Sequence, residues 1–350
     1  MNQHWKTVRL PLLLCGIFSF LLLRNPGLAS EGFQSGLQLC MQTVLPALFP
    51  FFVVCELLVA CPLHGMALRL LAYLFGFRQE KAGLALLLSW IGGYAVCARL
   101  THHLSCHGEL TRREADLLLL LGCCSSPGFV IGCVGGLLLG NLRLGVLLYA
   151  VQIAANLLSA ACCLPFLPSQ DTSALSHPDT TASTPNFSMA LNTAVNSCMQ
   201  VCGCVLFFRI VSAVMQPFLP PYPIALTIFS ALLEISSGCF DFAAQGGQWA
   251  LYGCCFCLSV LGLSVWAQLS VLLQGTGSLR LLAVSRCIHL FVSFFLMRML
   301  VCFLPGATAI YSTLPSRVIP THRLPWDAAF LGFCFICAAL YKVRQNFYNQ

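Results

Sequence analysis

The chain has 350 residues, of which 58% are hydrophobic and only 8% are charged, and its mean hydropathy is +0.84. Soluble domains carry roughly 25% charged residues, so the composition excludes an ordinary soluble domain and predicts a polytopic membrane protein. The formal net charge of +7 does not indicate nucleic-acid binding, because the cations lie in short segments between apolar runs. We therefore expect a lipid bilayer as a partner and no nucleic acid.

The first apolar run, Leu10–Leu23, follows Lys6 and Arg9. This order is typical of a signal peptide or of a first transmembrane helix. Arg24 separates the run from any small-residue cleavage site, which favours an uncleaved helix. We predict an N-terminal transmembrane anchor over residues 1–30, with its basic end in the cytoplasm.

Further apolar runs continue along the chain, and several exceed the roughly 18 residues that suggest a membrane-spanning helix. They cover Gly36–Cys61, Ala82–Leu104, Leu117–Gly140, Leu142–Leu167, Ala190–Leu219, Pro223–Ala244, Trp249–Leu273, Leu281–Leu304 and Trp326–Tyr341. Met66–Phe77 is too short to cross and is predicted to lie at the interface. The predicted organisation is a first half at 36–167, a polar linker at 168–189, a second half at 190–304, and a C-terminal transmembrane helix with its tail at 305–350.

Four of the apolar runs are broken near their middles by Gly, Ser or Pro, two in each half. The breaks are centred on Gly92-Gly93-Tyr94, Ser125-Ser126-Pro127-Gly128, Ser236-Ser237-Gly238 and Gly262-Leu263-Ser264. An unpaired backbone group in hydrocarbon costs several kcal/mol, so broken helices are tolerated where they line a cavity. Paired breaks in two halves point to the binding site of a transporter.

Basic residues flank the first two broken runs and are absent from the segment Gln170–Asn186. They are Arg69, Arg78, Lys81, Arg99, Arg112, Arg113 and Arg143. If each broken run is a re-entrant hairpin, all of them lie in the cytoplasm and the linker lies outside, as the positive-inside bias favours. If the runs cross fully, Arg112 and Arg113 face outside. We expect hairpins.

A faint internal repeat relates the two halves. Cys40-Met41-Gln42 opens one half and Cys198-Met199-Gln200 opens the other, and a long apolar helix with two broken runs follows each tripeptide. The shared order of elements indicates duplication. The sequence leaves open whether the repeats are inverted or parallel.

Two carboxylates lie within apolar runs. Glu234 directly precedes a break, and Glu56 lies near the end of a long run. Ionisable groups at membrane depth are costly, so a function is the default hypothesis for both. We predict that they couple transport to a proton or a cation, with an interfacial position as the alternative for Glu56.

The broken runs supply the other candidate site residues. Ser125, Ser126 and Pro127 would open a half-helix, whose free N–H groups favour anions, although Ser-Pro also kinks packed helices. The complete predicted substrate-binding set is Gly92, Gly93, Tyr94, Ser125, Ser126, Pro127, Glu234, Ser236, Ser237, Ser264 and Gln268.

Other polar residues can be explained by structural roles instead of functional ones. Gln152 and Asn156 are interpreted as interhelical hydrogen-bond partners, and Arg209 is either a counter-ion for an anion or a snorkelling residue. His102, His103, Cys106 and His107 have the spacing of metal ligands on a helix, but a solvated segment is the preferred interpretation. No Walker A, H-E-x-x-H or G-x-S-x-G motif occurs. We expect no enzyme, no catalytic residues, no metal and no cofactor.

The chain resembles the YlbJ family of sporulation integral membrane proteins, also called stage V sporulation protein V, which are built from nucleoside-recognition "Gate" domains. The stretches that carry the resemblance are Leu45–Leu57, Gly92–Leu100, Leu110–Ala115, Ser125–Val130, Leu232–Gly238 and Gly262–Leu269. The chain departs from the family pattern at Ala95, at Cys123-Cys124 and at Trp266, where the family tends to have Pro, Asn-Ala and His.

The resemblance implies an all-α bundle with two related halves and re-entrant helices, similar to concentrative nucleoside transporters. It also implies transport of dipicolinic acid into the developing endospore across the outer forespore membrane. We therefore expect a multi-pass transporter or facilitator of a small anionic or polar solute. The alternatives are a nucleoside-like solute, a structural protein of the spore envelope, and an intramembrane enzyme. A homo-oligomer is left open.

Overall fold

The computed structural model describes residues 15–60, 65–168, 187–220 and 222–303. Within these ranges every regular element is a helix, and five helices are long and apolar enough to cross a membrane. They are Pro26–Val54, Leu142–Phe166, Phe187–Phe218, Trp249–Leu273 and Leu279–Cys302. The prediction of an all-α polytopic membrane bundle is confirmed. The start of the N-terminal anchor, most of the linker and the C-terminal helix Trp326–Tyr341 lie outside the described residues.

The helices in chain order are α1 (Cys15–Arg24), α2 (Pro26–Leu39), α3 (Leu45–Ala60), α4 (Met66–Leu74), α5 (Glu80–Gly92), α6 (Tyr94–Cys106), α7 (Arg112–Gly122), α8 (Leu142–Cys163), α9 (Phe187–Met215), α10 (Pro223–Leu233), α11 (Ile235–Gln245), α12 (Gly247–Val260), α13 (Gly262–Leu273) and α14 (Leu279–Phe303). A π-turn, Cys40–Val44, joins α2 to α3, and a π-helix, Gly128–Leu138, follows α7. All four runs predicted to be broken are therefore interrupted. The first two interruptions lie at the predicted centres, whereas the other two lie at Glu234 and Leu261, just before the predicted Ser236-Ser237-Gly238 and Gly262-Leu263-Ser264.

The first broken run is a re-entrant hairpin. Helices α5 and α6 have 13 residues each, and each is about 20 Å long at 1.5 Å per residue. Gly93 forms the tip with φ 83° and ψ −173°, a conformation that is essentially reserved for glycine. An ion pair between Lys81 and Glu109 joins the two open ends of the hairpin. Its tip therefore reaches the interior of the roughly 30 Å hydrocarbon core without crossing it.

The second broken run crosses the bundle, and the prediction of a hairpin is wrong here. Helix α7 and the π-helix do not pack side by side; both instead lie along α8. Arg113 Nη1 at the start of α7 donates to the carbonyl of Pro168, 3.3 Å away beyond the end of α8. Gly135 in the π-helix packs on Gly145 near the start of α8, with no room for a Cβ between them. The break only interrupts the run and does not reverse it.

The second half repeats this order. Helices α10 and α11 form a hairpin whose tip is the extended residue Glu234, and Gln245 Nε2 donates to Thr227 Oγ1 across its open end. Helices α12 and α13 form the crossing run. Its end lies at the start of α7, because Arg112 Nη1 donates to the carbonyl of Gly275 at 2.6 Å.

These contacts place the two repeats in opposite orientations. The first hairpin opens on the face where α7 begins and α13 ends. The second hairpin opens at the start of α12. The run α12–α13 crosses the bundle from there to the face where the first hairpin opens, so the two hairpins open on opposite faces. The repeats are therefore inverted, an arrangement found in many secondary transporters.

One face of the bundle carries most of the described basic residues outside the spans. We call it the basic face. Contacts among the segments from α4 to α7 hold its residues close to one another. They are Arg69, Arg78, Lys81, Arg112 and Arg113. The positive-inside rule assigns this face to the cytoplasm. Arg143 lies at the opposite end of α8, and Pro168, where the linker begins, lies beside Arg113. The prediction that all basic residues share one face, with the linker opposite, is wrong because the second broken run crosses.

Each hairpin is tied by an ion pair to the long helix before it. Glu56 of α3 pairs with Arg99 of α6, and Arg209 of α9 pairs with Asp241 of α11 through two hydrogen bonds of 2.8 and 2.9 Å. Arg209 is therefore paired within the chain, whereas the sequence suggested a counter-ion for an anion or a snorkelling residue. The two pairs occupy equivalent places in the inverted repeats.

Neutralising Asp241 is expected to destabilise the second hairpin. Removing one partner of a buried ion pair costs 3–5 kcal/mol, and we expect about 2 kcal/mol for Asp241→Asn, because Asp241 is 23% exposed. Thermal unfolding of the purified protein in detergent measures the loss. The exchanged double variant Arg209→Asp/Asp241→Arg should recover part of it. An unfolding temperature equal to that of the parent for Asp241→Asn would show that the pair contributes nothing.

The core is unusually rich in cysteine. Every cysteine whose pairing the structure describes is a free thiol. Fully buried examples are Cys97, Cys123, Cys133, Cys239 and Cys254. Small, soft thiols fill space between closely packed helices. Cysteine therefore acts here as a packing residue.

Candidate functional site

The four breaks meet in the interior of the bundle. Gly93 lies so close to the second break that a Cβ on it would be 3.0 Å from the backbone nitrogen of Ser126. A Cβ on Gly262, at the fourth break, would be 3.2 Å from the backbone nitrogen of Glu234 at the third. Each hairpin tip thus touches the break in the crossing run of its own repeat.

A small cavity separates the two pairs of breaks. Its volume is about 20 Å³, and its lining comprises Leu48, Phe52, Gly92, Gly93, Tyr94, Ala95, Ser125, Ser126, Phe129, Val201, Ile235 and Ser236. A volume of roughly 10–15 Å³ on this measure already holds one water molecule, whereas sites for small ligands occupy roughly 300–1,000 Å³. The cavity as described therefore has room for about one water molecule and not for a small organic ligand.

Six of the predicted site residues line this cavity, and five do not. Gly92, Gly93, Tyr94, Ser125, Ser126 and Ser236 contribute to its wall. The five that do not line it are Pro127, Glu234, Ser237, Ser264 and Gln268. Of these, Glu234, Ser237, Ser264 and Gln268 are buried next to the breaks.

Glu234 caps the half-helix that begins at the second hairpin tip. Its backbone is extended, with φ −150° and ψ 129°, and its Oε2 accepts a hydrogen bond of 2.6 Å from the backbone N–H of Ser237. The residue is 2% exposed, and no described side chain forms an ion pair with it. Its carboxyl thus occupies the positive end of α11, where a negative group is favoured.

The second break leaves one hydroxyl free. The amide side chain of Gln152 pairs with the backbone of Ser125 through hydrogen bonds of 3.3 and 3.0 Å. Ser126 Oγ accepts from the backbone N–H of Phe129 at 3.3 Å. Ser125 Oγ is buried and has no hydrogen-bond partner, as is also the case for Ser237 Oγ. Free buried hydroxyls at a cavity can bind a solute, because leaving them unpaired is costly.

The remaining candidates lie away from the cavity. Glu56 is engaged by Arg99, and His103 stacks on His107 with ring centroids 4.2 Å apart. In the described part of the chain no three His, Cys, Asp or Glu groups gather in a way that could hold a metal ion. Asn156 donates to the carbonyls of Leu121 and Cys123, which fits its interpretation as an interhelical hydrogen-bond partner.

Two buried residues of α14, Arg286 and His289, were not among the residues predicted from the sequence. Arg286 is 4% exposed and donates from Nη2 to the carbonyl of Cys123 at 2.6 Å and to Asn156 Oδ1. His289, one turn later, contacts Ser259 Oγ and the carbonyl of Gln152. Their position inside the apolar run Leu281–Leu304 could have identified them as candidates, because ionisable groups at membrane depth are rare and are functional by default.

Comparison with known proteins gives one informative similarity. The chain is 30% identical to the sporulation integral membrane protein YlbJ of Bacillus subtilis (strain 168) over 152 residues, which are 42% of this chain and 37% of that protein. The match therefore spans well under half the length of either chain. No family model matches the chain, and no solved structure matches it. The chain is thus a membrane protein homologous to a sporulation integral membrane protein.

Proposed function

We propose that this protein is a secondary transporter or facilitator of a small anionic metabolite, with dipicolinate as the first candidate. The observation that carries the proposal is that the breaks of two inverted repeats pack together in the interior: three of them line one small cavity, and the fourth, at Gly262, packs on the third at Glu234. Inverted repeats with discontinuous helices place solutes at their interface, near the middle of the membrane. The similarity to a sporulation membrane protein favours a solute of spore formation.

The mechanism would be alternating access by the two hairpins. The first hairpin opens on the basic face and the second on the opposite face, so displacement of one tip at a time would expose the cavity to one side only. The ion pairs Glu56–Arg99 and Arg209–Asp241 would hold each hairpin in its closed position. The protein would act in the outer forespore membrane of a host that forms endospores, without catalytic turnover and without a cofactor.

The polar wall of the cavity suits carboxylates. The unpartnered hydroxyl of Ser125 lies with Ser126 just before the start of the π-helix. The positive end of a helix dipole favours negative charge. Glu234, on the other side, would carry the proton that accompanies the anion. A carboxyl without an ion-pair partner among the described residues, buried next to a segment that lines the anion site, would couple the two movements.

The test is uptake of labelled pyridine-2,6-dicarboxylate by proteoliposomes, with and without a proton gradient. Uptake above that of empty vesicles, increased by the gradient, supports the proposal. Uptake of a nucleoside instead would assign the same fold to a neutral solute. The absence of uptake and of any solute-dependent thermal stabilisation would favour a structural protein of the spore envelope.

Removing the free hydroxyl of Ser125 is expected to weaken solute binding. A hydrogen bond to a charged group is worth about 1.5–3 kcal/mol, so we expect Ser125→Ala to raise the half-saturating dicarboxylate concentration by about tenfold. Ser197→Ala is the matched control, because the hydroxyl of Ser197 bonds within α9 to the carbonyl of Thr193. Equal half-saturation for Ser125→Ala and the parent would remove Ser125 from the site.

A further inference from the structure

Arg286 is a buried cation with no carboxylate partner among the described residues. Within that part of the chain only its Nη2 is hydrogen-bonded, to the carbonyl of Cys123 and to Asn156, while Nε and Nη1 are buried and have no partner. The ion pairs of the described residues involve other arginines and lysines. A guanidinium remains protonated in proteins, so a full positive charge lies inside the bundle.

Packing does not explain this charge. An ionisable group at membrane depth is costly and normally faces a partner or a solute pathway. The carbonyl end of α7 compensates part of the charge, because the C-terminal end of a helix is negative. Two of the three guanidinium nitrogens nevertheless lack an acceptor. A residue that served only to cap α7 would not need a permanent charge, since the amide of Asn156 already donates to the same carbonyl of Cys123.

The position of Arg286 relates it to the cavity. The carbonyl that it binds belongs to Cys123, two residues before Ser125 in the cavity wall. The same break is held from α8, where Gln152 binds Ser125 and Asn156 binds Cys123. The buried carboxyl of Glu234 belongs to the opposite hairpin tip, whose next residues, Ile235 and Ser236, line the cavity. A guanidinium and a carboxyl, neither of them in an ion pair among the described residues, therefore each lie next to a segment that lines the same cavity.

We propose that Arg286 is the residue that makes the chamber selective for anions. Its charge, only partly compensated by the carbonyl end of α7, gives the wall formed by Ser125 and Ser126 a positive potential, which attracts a carboxylate and disfavours cationic solutes. Arg286 acts through this wall, as a specificity-determining residue. This inference rests on the proposed function and narrows its solute to compounds with a carboxylate or a similar anionic group.

The experiment compares two probes of the same shape. Pyridine-2,6-dicarboxylate carries two negative charges, and pyridine-2,6-dicarboxamide is its neutral counterpart. A unit charge within about 10 Å, at an effective dielectric constant of about 20, changes the affinity for a singly charged solute by more than tenfold. Arg286→Gln should therefore lower the ratio of dicarboxylate to dicarboxamide affinity at least tenfold, whereas Arg286→Lys should retain most of it. Arg298→Gln is the control, because it removes the same charge from an exposed position of the same helix.

A second variant separates charge from structural support. Asn156→Asp keeps Arg286 in place and gives it a carboxylate partner, which neutralises the charge and strengthens the hydrogen bond. Anion selection by charge predicts the same fall in the affinity ratio as for Arg286→Gln. A purely structural role of Arg286 predicts an unchanged ratio, and that result overturns the inference.

The outcomes distinguish this inference from the proposed function. A parent protein that binds and transports the dicarboxylate, with a ratio unchanged in Asn156→Asp and Arg286→Gln, overturns the inference alone. A parent that binds neither probe, by thermal shift and by uptake, overturns both. If Arg286→Gln fails to fold, Asn156→Asp and Arg286→Lys decide the question.

Discussion

Replacing Glu234 by glutamine is expected to abolish proton-driven uptake while the protein remains folded. The amide oxygen of glutamine can still accept the hydrogen bond from the backbone N–H of Ser237, so the cap of α11 is retained. The amide cannot take up or release a proton, and Glu234 is the buried carboxyl next to the cavity wall. We expect uptake under a proton gradient to fall at least tenfold, with exchange of solute in the absence of a gradient largely preserved.

The measurement pairs gradient-driven uptake with counterflow in the same proteoliposomes. Glu31→Gln is the control, because Glu31 is an exposed carboxyl on α2. Glu234→Asp should restore part of the gradient-driven uptake, since aspartate is also a good N-cap and carries a proton. Gradient-driven uptake by Glu234→Gln at the parent rate would show that this carboxyl is only a helix cap. Loss of both uptake and counterflow would assign it to solute binding instead.

Adding one methyl group at a break is expected to stop transport altogether. Gly93 has φ 83° and Gly262 has φ 73°, conformations that L-residues rarely adopt, and such strain costs of order 1–3 kcal/mol. A Cβ on Gly93 would also press on the backbone of Ser126, and one on Gly262 would press on the backbone of Glu234. Neither neighbour is a flexible side-chain end that could move aside. We expect Gly93→Ala and Gly262→Ala to reduce uptake at least tenfold.

The control for these variants is Gly203→Ala in α9. A Cβ at Gly203 meets nothing within 4 Å, and alanine is favoured over glycine in a helix by roughly 1 kcal/mol. This variant should transport normally and unfold at an equal or higher temperature. Normal uptake by Gly93→Ala and Gly262→Ala, in protein of normal stability, would mean that the tips need not approach the breaks so closely.

The breaks could be predicted because their cause is local. Glycine, serine and proline in the middle of an apolar run weaken a helix wherever the run is placed, and the structure interrupts each of the four runs at the predicted centre or within a few residues before it. The direction that the chain takes after a break is not determined by the local sequence. At Gly93 the chain reverses, and at Ser125 it continues, although both sequences are rich in small residues. The difference depends on what lies alongside: α6 returns along α5, whereas α7 and the π-helix follow α8.

The candidate site was only partly predictable for a similar reason. Ser125 and Ser126 could be found from their position at a break, and they line the cavity. Arg209 could be seen as a buried charge, but its partner Asp241 lies 32 residues away and belongs to another helix. Arg286 lies 163 residues from the carbonyl that it binds. The role proposed for Arg286 depends on the lack of a carboxylate partner among the described residues, which no single segment of sequence reveals.

The amino-acid sequence by itself determined that this protein is a helical membrane protein with four interrupted runs, because hydropathy and backbone breaks act over a few residues. The tertiary structure alone decided which runs reverse, that the repeats are inverted, and that a buried arginine and a buried carboxyl each lie next to a segment that lines one cavity. Those properties depend on contacts between helices far apart in the chain. In a bilayer most helix surfaces are apolar, so hydropathy does not select neighbours, whereas close packing at glycines and interhelical hydrogen bonds do.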